Sequence, residues 1–259
     1  MQTTIDALLL GKPTIIKENQ YLSTKDYVED FLNFFKPIAV DFEINVQLPD
    51  QITGNITEKD LTYNRVWIQA VMPDKDSIEE YKEVYGLAYA LDTKTPVCKY
   101  YRAYKSSKTN NLVVFEPTWI ETKELKPEIK FEFDFKNLMS KENGFERKIK
   151  AIKNNFISPD HLNELLGSLI NKSLLYERND IGGKIKLSPN DIIKAYNDVV
   201  NKPTSNYYVS PSTEGSLHNM YSSVCSQITQ GKDIINRFEK TILVGMLFDF
   251  IKYEASNEA

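Results

Sequence analysis

The sequence holds few of the residues from which metal and redox sites are built. Its 259 residues include 2 cysteines, Cys98 and Cys225, and 2 histidines, His161 and His218. These residues show no ligand spacing such as CxxC, which argues against a zinc site. The cysteines are expected to stay reduced thiols, and each histidine is expected to be an ordinary helix residue.

Glycine-rich and long apolar segments are also missing. The chain has 10 glycines, no GxxxxGKS/T or GxGxxG motif for a bound phosphate, and no GxSxG motif for a nucleophilic serine. Its most apolar stretch, residues 241–251, includes Asp249 and falls short of the roughly 18 residues that span a bilayer. The first residues lack the basic start of a signal peptide. We therefore expect a cytoplasmic protein of a host cell, without membrane partner or cofactor, and favour a non-enzymatic role.

Charge is divided unevenly along a chain whose formal net charge is −4. Residues 1–92 carry 16 acidic and 8 basic side chains, whereas residues 93–259 carry 20 acidic and 24 basic ones. The segment 93–115 has no acidic residue and places tyrosines among its cations. Its candidate nucleic-acid-binding residues are Lys94, Lys99, Tyr100, Tyr101, Arg102, Tyr104, Lys105 and Lys108.

In an extended strand these residues fall on two faces, the even-numbered residues of 98–104 on one and the odd-numbered residues of 99–105 on the other. Cations follow the phosphates of a single strand and aromatic rings stack on its bases, so an exposed face of this kind predicts nucleic-acid binding. The same composition is also typical of a solvated strand face and of a protein–protein hot spot.

The hydrophobic pattern changes near residue 135. Before it, apolar residues predict strands at 40–48, 63–72, 84–91, 97–104, 112–115 and 130–135, a polar turn at 106–111 and one helix at 24–35. After it, Ser-Pro pairs at 158–159 and 188–189 begin two predicted helices, and two more cover 217–228 and 233–253. We predict an α+β fold, with an antiparallel β-rich layer over 1–135 and a helical layer over 136–259 packed as one globular unit.

The last predicted helix leaves almost no polar face after Thr241. A helix that is apolar all round must be covered on all sides. Either the rest of the chain or a second copy supplies that cover. We favour burial within the chain because several other helices are available, and an oligomer stays an alternative.

Carboxylates offer another functional alternative, a metal-dependent nuclease. Asp41 and Glu43 point the same way from their predicted strand, and a third acid would complete a magnesium site. Acid–x–Lys pairs also occur at 121–123 and 128–130, downstream of Pro73-Asp74. Because the chain has 36 acidic residues, several such pairs are expected by chance, and solvated side chains explain the pattern better.

Two short stretches carry a further signal. One combines Arg102 with the segment 109–112 (Thr-Asn-Asn-Leu), and the other is the segment 217–222 (Leu-His-Asn-Met-Tyr-Ser). Both resemble segments of a broad family of phage- and plasmid-encoded proteins of unassigned function. The first is similar to that family's arginine and Cys/Thr-Asn-Gly-Leu segment, and the second to its Leu-Tyr-Asn-Ala-Val-Thr segment. Asn111 replaces the family's glycine and Ser222 its threonine. The resemblance implies origin in a mobile element, permits a role in DNA transactions, and carries no catalytic residue across.

The leading functional prediction is a non-enzymatic protein of a phage or mobile element that binds nucleic acid, single-stranded DNA in particular. The alternative is a protein that binds or inhibits a host or virion protein through a tyrosine-rich or acidic surface. A metal-dependent nuclease is the third.

Overall fold

The chain has an α+β fold, as the sequence predicts, with an antiparallel sheet in the N-terminal half and helices in the C-terminal half. The computed structural model describes residues 14–16, 19–21, 24–47, 65–73, 80–90, 97–113, 119–121, 131–140, 144–180, 183–210, 215–228 and 234–257.

Six strands form the main sheet of the described residues. It consists of β3 (Asp41–Gln47), β4 (Arg65–Val71), β5 (Tyr81–Ala90), β6 (Val97–Ser106), β7 (Leu112–Val113) and β8 (Trp119–Glu121). The order is β3-β4-β5-β6-β7, β8 also pairs with β6, and every pairing is antiparallel. A separate hairpin joins β1 (Thr14–Ile16) to β2 (Asn19–Tyr21).

Two helices come from the parts of the chain that flank the sheet, α1 (Thr24–Phe35) and α2 (Phe131–Ser140). The others are α3 (Phe145–Asn154), α4 (Pro159–Leu175), α5 (Pro189–Val200), α6 (Leu217–Ile228) and α7 (Ile234–Asn257). Between them, β9 (Phe156–Ile157) pairs with β12 (Gly215–Ser216), and β10 (Arg178–Asp180) pairs with β11 (Gly183–Ile185). The Ser-Pro starts are confirmed, because Ser158 and Ser188 accept hydrogen bonds from backbone amides in the first turns of α4 and α5.

Helices cover both faces of the sheet, so β5 and β6 are buried along most of their length. On one face, Phe135 of α2 lies 5.0 Å from Phe35 of α1 and 4.7 Å from Tyr100 of β6, measured between ring centres. On the other face, Phe238 of α7 packs against Tyr101, with ring centres 4.8 Å apart. A second core lies among α3, α4, α5, α6 and the middle of α7.

The strand predicted at 130–135 is wrong, because residues 131–135 belong to α2, and residue 130 lies outside the described residues. A short alternation of apolar residues also fits one turn of a helix. Phe135 and Leu138, three residues apart, are both fully buried, which is the spacing of a helix face. The α1 prediction is confirmed, while β5 begins three residues earlier than predicted and α7 ends at Asn257.

Gly86 of β5 makes room for a tyrosine ring on the neighbouring strand. Its cross-strand partner is Tyr101, and a Cβ at position 86 would lie 2.0 Å from Cζ of that ring. The Tyr101 hydroxyl accepts hydrogen bonds from Trp67 Nε1 and, at 3.1 Å, from Gln69 Nε2 on β4. The close approach of ring and backbone therefore requires glycine here.

Gly86→Ala should lower the free energy of unfolding by about 1–3 kcal/mol, the usual cost of forcing an extra carbon into a packed core. Gly167→Ala on α4 is the matched control, because nothing lies within 4 Å of a Cβ built there. Alanine at that position should stabilise the helix by roughly 0.5–1 kcal/mol. Urea denaturation measures both effects, and equal stabilities of the two variants would contradict the packing at Gly86.

Candidate nucleic-acid interface

Strand β6 carries most of the residues predicted to bind nucleic acid, and the structure buries the larger part of them. Lys99, Tyr100 and Tyr101 are each 1% exposed, and Lys105 is 8% exposed. The prediction of an exposed strand face is wrong for these four residues, because α2 packs over Tyr100 and α7 packs over Tyr101. Lys94 lies outside the described residues.

Each cation of β6 is paired with an acid from another element. The pairs are Lys99 with Glu239 of α7, Arg102 with Glu83 of β5, and Lys105 with Glu43 of β3. In the first pair, Lys99 Nζ lies 2.6 Å from Glu239 Oε1, and both side chains are buried. The acid-free segment thus finds its counter-ions elsewhere in the chain, and these three cations are engaged within the fold.

Two predicted site residues remain, Tyr104 and Lys108. The Tyr104 ring is partly buried and stacks on Phe145 of α3, with ring centres 3.5 Å apart. Lys108 lies in the turn between β6 and β7, which Asn110 closes in a left-handed conformation with φ 61°. Its side chain is 75% exposed. Among the predicted site residues that the structure describes, Lys108 is therefore the one that presents an exposed cation.

Helix α3 carries a row of three further cations, and the last of them, Lys153, shares a carboxylate with Lys108. Its apolar side is buried in the helical core and consists of Phe145, Ile149 and Ile152. Arg147, Lys150 and Lys153 follow one another at a spacing of three, so they form a row along successive turns. Arg147 and Lys150 are exposed, and the Lys153 side chain is 34% exposed.

Glu80 joins this row to the β6–β7 turn. Its Oε2 lies 2.6 Å from Lys153 Nζ and 3.5 Å from Lys108 Nζ. Its backbone carbonyl accepts hydrogen bonds from the amide and the hydroxyl of Ser107, at 2.8 and 3.0 Å. Burial opposes ionisation of Glu80, but the hydrogen bond and charge of Lys153 outweigh it and lower the pKa of the carboxyl. Two of the four cations therefore meet at one ionised carboxylate.

Aromatic rings lie beside this junction. The Tyr81 hydroxyl is hydrogen-bonded to Nε2 of His218 on α6, and Lys153 Nζ lies 5.5 Å from the centre of the Tyr81 ring. Burial lowers the pKa of His218 to about 4, although the charge of Glu80 opposes the shift. Burial also raises the pKa of Tyr81. At neutral pH the phenol and the imidazole are both uncharged, so neither adds charge beside the lysine.

Phe156 presents an aromatic ring beyond the C-terminal end of α3. It lies in β9, two residues after Asn154, and it is 62% exposed. Lys108, Arg147, Lys150, Lys153 and Phe156 are called the basic surface below. A row of cations followed in the chain by an exposed ring is a combination suited to binding single-stranded nucleic acids.

The two stretches that carry the family resemblance contact each other close to this surface. Asn111 Nδ2 donates a hydrogen bond of 3.1 Å to the backbone carbonyl of Ser222. Arg102, the arginine of the first stretch, donates a hydrogen bond to the carboxylate of Glu83. No family model, curated protein or solved structure matches this chain. The family resemblance therefore stays a prediction.

Other candidate sites have less geometric support. Within the described ranges, no three His, Cys, Asp or Glu side chains come together in a way that would hold a metal ion. Glu43 is paired with Lys105, and Asp41 Oδ1 accepts the Phe42 amide at 2.8 Å. Both cysteines are buried thiols that form no disulfide with each other, and burial raises the pKa of Cys225 to about 12. Among the residues that the structure describes, no helix is long and apolar enough to cross a membrane.

Proposed function

We propose that the protein binds single-stranded nucleic acid, DNA of a phage or mobile element in particular, through the basic surface. The observation that carries this proposal is the row Arg147–Lys150–Lys153, followed three residues later in the chain by the exposed ring of Phe156. The function is the one that the acid-free segment 93–115 predicts, but the contacts move from β6 to α3 and the β6–β7 turn. Lys108 belongs to both sets.

The dimensions of the surface suit a short stretch of a single strand. From Arg147 to Lys153 the helix rises about 9 Å, at ~1.5 Å per residue, which accommodates a few phosphates. Stacking of an unpaired base on an aromatic ring contributes about 1–3 kcal/mol, and a duplex offers such a base only at its ends. The surface therefore favours single strands over duplexes, with little selection of sequence.

A protein partner is the second candidate. Its predicted tyrosine-rich surface is absent from β6 because Tyr100 and Tyr101 lie in the core. The exposed apolar side chains that a partner would contact instead include Phe156 and Leu175, at 62% and 77% exposure. Exposed aromatic and arginine side chains are typical of hot spots. Binding of an oligonucleotide separates the two candidates.

Fluorescence anisotropy with a labelled thymidine oligonucleotide should show binding at about 50 mM salt that weakens steeply as salt is added, because bound lysines release counterions. Arg147→Gln with Lys150→Gln should weaken binding roughly tenfold or more and reduce the slope of log K against log salt by about 1.4. Phe156→Ala should weaken binding roughly fivefold to a hundredfold and leave that slope unchanged.

The matched control, called the α5 variant, is Lys194→Gln with Lys202→Gln, which removes one exposed cation on α5 and one just after its end. It should leave the affinity nearly unchanged. Absence of binding at about 50 mM salt would reject the nucleic-acid proposal and favour a protein partner. Equal losses in the α3 and α5 variants would reject the basic surface as the site.

A further inference from the structure

Glu80 occupies the place at the basic surface where two cations come closest together. Its carboxylate contacts Lys153 at 2.6 Å and Lys108 at 3.5 Å. The side chain of Glu80 is 11% exposed, whereas that of Lys108 is 75% exposed. An acid is thus held beneath cations that reach the surface.

The backbone fixes this acid in position. The hydrogen bonds from the amide and hydroxyl of Ser107 anchor the Glu80 carbonyl to the β6–β7 turn, and Tyr81 begins β5 directly after it. Lys153 is held from a second side by the Tyr81 ring. The carboxylate therefore stays close to both lysines when their outer surface meets a ligand.

We infer that Glu80 competes with the phosphates of a bound strand for Lys108 and Lys153, and so limits the affinity of the basic surface. This inference depends on the proposed function. The carboxylate cancels one of the two positive charges at the junction and repels an approaching phosphate. The two lysines then bind fewer phosphates than exposed cations would, and Arg147, for which the described residues supply no ion-pair partner, contributes more than either.

Glu80→Gln keeps the size of the side chain and removes its charge. The variant should bind the labelled oligonucleotide roughly fivefold to tenfold more tightly, with a slope of log K against log salt steeper by about 0.7 for each lysine released. Glu177→Gln is the matched control, because Glu177 also contacts two lysines, Lys184 at 2.6 Å and Lys186 at 3.1 Å. It should leave affinity and slope unchanged.

A second comparison does not need the Glu80 variant to fold. In the otherwise unchanged protein, Lys108→Gln should weaken binding at least threefold less than Arg147→Gln, since Glu80 already offsets part of the charge of Lys108. Equal losses for these two variants, or unchanged or weaker binding by Glu80→Gln, would overturn the competition while leaving the proposed function intact. Absence of binding by both the unchanged protein and Glu80→Gln would instead reject the proposed function.

Discussion

Replacing Lys99 with methionine should lower the free energy of unfolding by about 3–5 kcal/mol, among the largest effects expected of a single substitution in this chain. Lys99 is 1% exposed and its partner Glu239 is fully buried, so removal of the lysine takes a close positive charge away from a buried carboxylate between the sheet and α7. An uncompensated buried charge is far more costly than the loss of the pair itself. Guanidinium denaturation followed by circular dichroism measures the change.

Two further variants test this explanation. Lys99→Met combined with Glu239→Met should recover most of the loss, because exchange of a buried ion pair for well-packed apolar side chains is neutral or stabilising by about 1–4 kcal/mol. Lys184→Met removes an exposed lysine that contacts Glu177 at the same 2.6 Å, and it should leave the denaturation midpoint nearly unchanged. If the double variant is less stable than Lys99→Met alone, the buried charge is not the cause.

Much of the fold is predictable from the sequence because local rules and tertiary packing agree. In the helix at 24–35, the apolar residues recur with the period of the face that becomes buried. The Ser-Pro starts of α4 and α5 depend on capping hydrogen bonds that form within four residues of the chain. The prediction of a strand at 130–135 is wrong because the alternation of apolar residues there is too short to distinguish a strand from a helix. Phe135 is placed by rings from α1 and β6, more than thirty residues away in the chain.

The candidate site is less predictable, and the acid-free segment shows why. Its cations are paired with acids that lie between 19 and 140 residues away, which local composition cannot reveal. The row on α3 does leave a signal in the sequence. Residues 145–154 (FERKIKAIKN) place apolar side chains at 145, 149 and 152 and cations at 147, 150 and 153, a pattern of helical period.

Phe248→Ala should lower the free energy of unfolding by about 3–5 kcal/mol, the range for emptying a core phenylalanine. Phe248 is fully buried within the single chain, and its ring meets that of Tyr221 on α6 edge-on at 4.8 Å. Leu247 and Val244 are equally buried, so this stretch of α7 is covered by the chain itself, the alternative that the sequence favours. Chemical denaturation together with light scattering tests this packing.

The matched control is Phe156→Ala, the same substitution at a ring that is 62% exposed. It should change stability by no more than about 0.5 kcal/mol, because a surface truncation leaves no cavity. The two variants also distinguish a Phe248 ring buried in the core of one chain from a ring buried at an interface with a second copy. A Phe248→Ala protein that keeps its denaturation midpoint but changes its mass in light scattering would show that α7 packs against a second copy. A lower midpoint at unchanged mass is expected, because the single chain alone already buries Phe248 completely.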